Sequence, residues 1–62
     1  MHDPDELLSA RETARILNTS GQTVYRLINS GKLPAVKVSP RLLRIRRADL
    51  EAYIADRQGA SE

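Results

Sequence analysis

Residues 20–31 constrain the fold more than any other stretch, because they carry signals for the start, the end and both faces of one short helix. A hydroxyl of Thr19 or Ser20 can accept from first-turn amides, and Gln22 follows Thr19 at the spacing of a capping box. Gly31 can adopt the left-handed backbone that commonly ends a helix. An apolar stripe at helical spacing is formed by Val24, Leu27 and Ile28.

The opposite side of this helix carries the side chains that a helix contacting DNA bases would need. It presents Gln22, Arg26 and Asn29, with Thr23 and Tyr25 on its flanks. Arginine can make two parallel hydrogen bonds to guanine, and glutamine or asparagine can do the same with adenine. A solvated surface face would use the same residue types, so this helix alone leaves both interpretations open.

The distribution of charge favours the DNA interpretation. The formal net charge is only +2, but no acidic residue lies between Glu12 and Asp49. That interval holds Arg15, Arg26, Lys32, Lys37, Arg41, Arg44, Arg46 and Arg47. A basic middle between acidic flanks indicates a cationic face that suits a polyanion.

An earlier helix is predicted from Ser9, which forms a capping box with Glu12, to about Leu17. One face of it is formed by Ala10, Thr13, Ala14 and Leu17, and Ile16 is expected to pack under a different element. On its outer side, Arg11 and Arg15 could touch phosphates, or Arg15 could pair with Glu12.

The break at residues 18–20 links the two predicted helices. Asn18 stands where such a turn needs a residue that tolerates the left-handed conformation. Two helices joined by so short a turn indicate a helix-turn-helix.

After residue 31 the apolar period becomes two, which predicts a β-hairpin with its loop at residues 39–42. The inward side chains are predicted to be Val36, Val38, Leu43 and Ile45. The outward ones are Lys37, Arg44 and Arg46, with Arg41 and the apolar Leu42 near the tip.

A last helix is predicted over residues 47–57, with Gly59 ending it. One side of it is formed by Leu50, Tyr53, Ile54 and Arg57. We expect one folded domain over residues 7–57, with flexible tails at residues 1–6 and 58–62.

Several classes of function are disfavoured by composition. The chain has no cysteine, so we expect neither a disulfide nor a thiolate metal site, consistent with a reducing cytoplasm. The single histidine, His2, is expected to be solvated, and no apolar run reaches the ~20 residues of a membrane span. Without a nucleophile–base pair, a carboxylate pair or a metal cluster, we expect no enzyme activity, cofactor or small-molecule ligand.

Residues 7–54 resemble the excisionase-type helix-turn-helix domain, a minimal relative of the MerR-type winged-helix family. The resemblance is carried by residues 8–12, 20–28, 31–35, 44–45 and 49–54. Two departures stand out. Pro40 and Leu43 replace a glycine-rich wing turn and its following aromatic, and Arg46 stands where members often have proline.

The resemblance implies an α+β winged helix whose second helix enters the major groove beside a hairpin wing. The candidates for base contacts are Gln22, Thr23, Arg26 and Asn29. The candidates for DNA-backbone contacts are Arg11, Thr19, Tyr25, Lys32 and Lys37, and those for the wing are Arg41, Arg44 and Arg46.

Three functions remain open. The first is an excisionase, which bends double-stranded DNA and directs an integrase, with head-to-tail self-association on DNA through Leu42 and the acidic tails. The second is a small transcriptional regulator. The third is a protein-binding adaptor, which is disfavoured because only Tyr25 and Leu42 offer exposed apolar surface.

Overall fold

The computed structural model describes residues 3–60, with side chains described as far as Arg57. Over this range the elements are β1 (Leu7–Leu8), α1 (Ala10–Leu17), α2 (Gly21–Asn29), β2 (Val36–Ser39), β3 (Leu42–Arg46) and α3 (Arg47–Ala60). The strands form an antiparallel sheet in the order β1-β3-β2, so the fold is α+β as predicted. None of the helices in this range combines the length and apolar character that a membrane span requires.

Helix α1 begins and ends as its local sequence predicts. The Glu12 amide donates to the Ser9 hydroxyl, and the Ser9 amide donates to the Glu12 carboxylate, each at 3.0 Å. These reciprocal bonds satisfy two backbone donors at the helix start. Asn18 ends the helix in the left-handed conformation, at φ 57° and ψ 48°, which turns the chain toward α2.

Helix α2 is capped by Ser20, the second of the two predicted candidates. The Thr23 amide donates to the Ser20 hydroxyl at 3.2 Å, so the capping box predicted between Thr19 and Gln22 does not form. Gly31 follows the helix at φ +80°, and its amide donates to the Ile28 carbonyl. The predicted role of Gly31 as the residue that ends the helix is confirmed.

One apolar core joins all the elements except β2. Its buried members are Leu8, Ala14, Val24, Leu33, Ile45 and Leu50. Leu27 and Tyr53 pack against this cluster but stay half-buried. The prediction for Ile16 is wrong: it is 43% exposed, because α1 buries the stripe that contains Thr13 and Ala14 instead.

The hairpin forms in a register that differs from the prediction. Val36 pairs with Arg44 and Lys37 pairs with Leu43, and the register shifts between Lys37 and Ser39. Directly paired residues share a face of the sheet. The prediction that Val36 faces inward with Leu43 is therefore wrong, and so is the prediction that Lys37 faces outward with Arg44. Alternation along β2 could not reveal this, because a one-residue slip moves every side chain to the other face.

Residues 3–6, which were predicted to be part of a flexible tail, have structural roles, and so does β1, a strand that was not predicted. Leu8 pairs with Ile45 on β3. The Arg47 amide donates to the Glu6 carbonyl at 2.8 Å, and the Ala48 amide donates to the Pro4 carbonyl at 3.0 Å. These carbonyls satisfy two of the amides that the start of α3 leaves open. The Arg47 guanidinium also pairs with the Glu6 carboxylate at 2.8 Å.

Helix α3 continues to Ala60, so the prediction that Gly59 ends it is wrong. The predicted C-terminal tail is helical as far as residue 60. The other predicted tail residues, at positions 1, 2, 61 and 62, lie outside the described part of the chain, and so does the prediction for His2.

Candidate nucleic-acid interface

The outer face of α2 brings together three of the predicted base-contacting residues. Gln22, Arg26 and Asn29 are all exposed, whereas Val24 on the opposite side is completely buried. At about 100° per residue, the three polar side chains fall along one line of the helix surface. This line of two amides and a guanidinium is chemically suited to the edges of base pairs.

Thr23 lies apart from this line, on the flank of α2 that faces α3. It is half-buried, and its hydroxyl lies 3.1 Å from the Ser20 hydroxyl. An apolar depression of about 350 Å³ opens beside it and is lined by Leu17, Leu27, Tyr53 and Ile54 together with Thr19, Thr23 and Arg57. The Arg57 guanidinium stands 5.9 Å from the centre of the Tyr53 ring.

The other flank of α2 faces α1 across an open groove of about 650 Å³, called here the α1–α2 groove. It is lined by Ala10, Arg11, Ala14, Arg15, Thr19, Gly21 and Tyr25. Three of the five predicted backbone-contacting residues, Arg11, Thr19 and Tyr25, therefore share one surface. Arg15 also lines this groove. The alternative prediction for Arg15 was an ion pair with Glu12, and the described residues do not form it.

The two remaining backbone candidates lie elsewhere. Lys32 is exposed just beyond α2, where its amide donates to the Leu27 carbonyl. Lys37 is exposed on β2 but shares a face with Leu43, on the opposite side of the hairpin from Arg44. Of these two lysines, only Lys32 is close in sequence to the outer face of α2.

The three predicted wing arginines occupy three different places. Arg41 is exposed in the turn between β2 and β3, at the tip of the hairpin. Arg44 is half-buried, and its Nη1 donates to the Leu43 carbonyl at 2.8 Å. Arg46 is exposed at the other end of β3, opposite Leu7. The tip of the hairpin therefore carries one of the three charges.

Comparison with known proteins agrees with this geometry. Residues 7–58 match the model of a protein family described as "Helix-turn-helix domain". The chain belongs to this family. It is a DNA-binding helix-turn-helix protein, and members of the family are typically not enzymes.

Two relatives illustrate the range of proteins that contain this domain. The helix-turn-helix chain is 46% identical over 46 residues to "Excisionase" of Mycobacterium phage D29, a match that covers 74% of this chain and 82% of the phage protein. It is 40% identical over 52 residues to "Transcriptional repressor DcmR" of Methylorubrum extorquens, which covers 82% of this chain but only 20% of the repressor.

Glu12 is an acidic residue at the edge of this otherwise basic helix-turn-helix surface. The hydrogen bond from the Ser9 amide lowers the pKa of the Glu12 carboxyl, and a hydrogen bond with the Ser9 side chain adds to the effect. The charges of Arg44 and Arg15 lower this pKa further. Arg44 therefore lies near the capped start of α1, at the junction between the helix-turn-helix and the hairpin.

Sequence reasoning missed an apolar face on the outer side of the sheet. Leu7, Val38 and Leu42 are 44%, 51% and 40% exposed. Leu7 pairs with Arg46, and Leu42 lies two residues from Arg44 on the same strand, so they share the face that carries both arginines. Of these apolar residues, only Leu42 was predicted to be exposed. Leu7 lies on this face because β1 pairs with β3.

Proposed function

We propose that this chain is an excisionase, also called a recombination directionality factor, which bends attachment-site DNA and directs an integrase toward excision. The observation that carries the proposal is the 46% identity to a phage excisionase across 82% of that protein. The role is architectural: the chain binds and shapes DNA, and the integrase performs the chemistry.

In the proposed complex, α2 lies in the major groove with Gln22, Arg26 and Asn29 toward the base edges. The exposure of all three, on the side opposite the buried Val24, supports this orientation. The hairpin then acts as a wing, with Arg41 at its tip beside the adjacent minor groove, whose negative potential attracts arginine.

Bending also motivates the proposal that copies bind side by side. Bending a short site costs about 1–6 kcal/mol, which several copies can share through added phosphate contacts. The outer face of the sheet carries arginines beside the apolar Leu42, so it is positively charged. Glu51 and Asp56 on α3 are exposed and acidic. Contact between these two surfaces of neighbouring copies joins them head to tail, and such a contact need not close into a ring.

A transcriptional regulator is the second candidate, supported by the 40% identity to a repressor. Because the match covers only 20% of that repressor, it supports a shared DNA-binding module rather than a shared regulatory mechanism. A regulator of this kind binds its operator without needing to bend it, which distinguishes the two candidates experimentally.

The test begins by selecting a preferred site from a random duplex library. Gel shifts on DNA with one, two and three adjoining copies of that site then measure cooperativity, and circularly permuted probes measure bending. We expect increasing affinity per added site and a bend of about 40–90°. Equal affinity at every site on straight DNA would refute the architectural role and favour the regulator.

A recombination assay then tests the direction of the reaction. A plasmid carrying the two attachment sites of an integrated element is incubated with the cognate integrase, with and without this chain. We expect excision to rise only when the chain is present, and an Arg26→Ala variant to lose the effect. Excision at the same rate without the chain would refute the proposal even if DNA bending were observed.

A further inference from the structure

The three wing arginines differ in how much freedom the fold leaves to their side chains. Arg41 and Arg46 are exposed, and within the described residues neither side chain makes a hydrogen bond or an ion pair. Arg44 is half-buried, and its Nη1 donates to the Leu43 carbonyl at 2.8 Å. A guanidinium that is folded back onto its own strand has to break this bond before it can extend to a phosphate. Arg44 is therefore less suited to a DNA contact than the other two arginines.

The position of Arg44 in the sheet indicates a different role. Val36 of β2 pairs with it on one side. On the other side, β1 pairs Leu8 with Ile45, so the next residue, Ser9, comes level with Arg44 as the chain leaves the sheet and begins α1. Strand β3 also packs against α1. Arg44 is thus the wing arginine that lies where the hairpin meets the helix-turn-helix.

An acidic group stands at the same junction. The Glu12 carboxylate accepts from the Ser9 amide at 3.0 Å, which holds it beside the start of α1. Both Ser9 hydrogen bonds lower the pKa of Glu12, and the positive charge of Arg44 adds to them, so the two side chains attract each other. They form no ion pair within the part of the chain that the structure describes, and Glu12 is exposed, so the attraction is modest. It draws the hairpin toward α1, while the hydrogen bond to Leu43 orients the guanidinium.

We propose that Arg44 is a positioning residue of the wing: it holds the hairpin against the start of α1, and thereby places Arg41 at the DNA, without contacting DNA itself. The inference rests on the proposed use of the hairpin as a wing, but not on excision or bending. It departs from the resemblance to excisionase-type domains, which groups Arg44 with Arg41 among the wing residues that contact DNA.

A double-variant cycle measures whether Arg41 depends on Arg44. Arg41→Ala is introduced into wild type, into Arg44→Gln and into the matched control Arg46→Gln, which removes an exposed charge from the same strand. Thermal melts identify the variants that are folded, and fluorescence anisotropy measures binding to a duplex with one copy of the selected site. We expect Arg41→Ala to weaken binding about tenfold in wild type and in Arg46→Gln, as the loss of one charge-assisted hydrogen bond. In Arg44→Gln the same change should cost less than about threefold, because coupled residues are not additive.

A second variant, Arg44→Lys, separates charge from geometry. An ammonium group binds phosphate as a point charge, but it lacks the planar fork with which a guanidinium can donate to the Leu43 carbonyl and still face Glu12. We expect Arg44→Lys to bind DNA nearly as weakly as Arg44→Gln. Its salt slope should become shallower by about one although the net charge is unchanged, because Arg41 no longer reaches its phosphate.

The outcomes separate this inference from the proposed function. Wild-type affinity in Arg41→Ala would refute the wing, and this inference with it. If Arg41→Ala does weaken binding, an equal loss in all three backgrounds would refute only the inference and make Arg44 an independent DNA contact. Wild-type affinity and salt slope in Arg44→Lys would refute it in the same way, and this variant decides the question if Arg44→Gln does not fold.

Discussion

The hydroxyl of Thr13 gives the sharpest prediction about stability. The side chain is 0% exposed, and its Oγ1 atom has no hydrogen-bond partner within the described residues. A buried polar group without a partner loses its hydrogen bonds to water on folding, a penalty of about 1–3 kcal/mol. Thr13→Val replaces the hydroxyl by a methyl of nearly the same shape, and both residues are β-branched. We therefore expect the free energy of unfolding to rise by about 1–3 kcal/mol.

Thermal melts can resolve this change. For a domain of this size, 1 kcal/mol shifts the melting temperature by about 4–8 °C. Thr13→Ser is the matched control, because it keeps the hydroxyl and removes the packed methyl, and it should melt below wild type. DNA affinity should not change in the Val variant, since Thr13 has no exposed surface. A Val variant that melted below wild type would show that the hydroxyl is satisfied in the folded chain.

Four further predictions concern the core, the interface and acid stability. Leu50→Ala should lower the free energy of unfolding by about 2–5 kcal/mol, and Leu27→Ala should lower it by less because Leu27 is only half-buried. Urea titration measures both changes, and a larger loss for Leu27→Ala would contradict the core assignment. Arg26→Ala should weaken binding to the selected site by about 1–3 kcal/mol and relax the sequence preference at one base pair. An equal loss of affinity for random DNA would instead make Arg26 a phosphate contact. Arg41→Ala should weaken binding but keep the base preference, and unchanged affinity would show that the hairpin tip does not touch DNA. The pKa of Glu12 is lowered from its ordinary 4.5, so its carboxylate stabilises the fold above the unfolded pKa, and this contribution is lost as pH falls through the folded pKa. Glu12→Gln should therefore flatten the acid side of a melting-temperature profile, and an unchanged profile would contradict this.

The helix boundaries that depend on nearby residues could be predicted from the sequence. The Ser9–Glu12 capping box, the left-handed Asn18 and the positive φ of Gly31 all formed as expected. Each depends on hydrogen bonds or sterics within about four residues, so the sequence contains all the partners. The same holds for the outer face of α2, whose three exposed polar residues follow from helical geometry alone.

Features that depend on distant partners could not be predicted in the same way. A two-residue strand such as β1 has no periodicity, and it exists because Leu8 meets Ile45 far along the chain. The turn at residues 3–6 contains no apolar pattern either, yet its carbonyls satisfy the start of α3.

The largest error, the hairpin register, also changes how the interface should be understood. The sequence pattern predicted one apolar face and one basic face, but Val36 pairs with Arg44, and Val38 is 51% exposed. The outer side of the sheet is therefore both basic and apolar, a combination that suits contact with a neighbouring protein as well as with phosphates. The outer face of α2 and the α1–α2 groove expose much less apolar surface, with Tyr25 as their main contribution. Substituting Leu42 by a polar residue should consequently reduce cooperativity on adjoining sites while leaving affinity for a single site intact, because only assembly requires the apolar face.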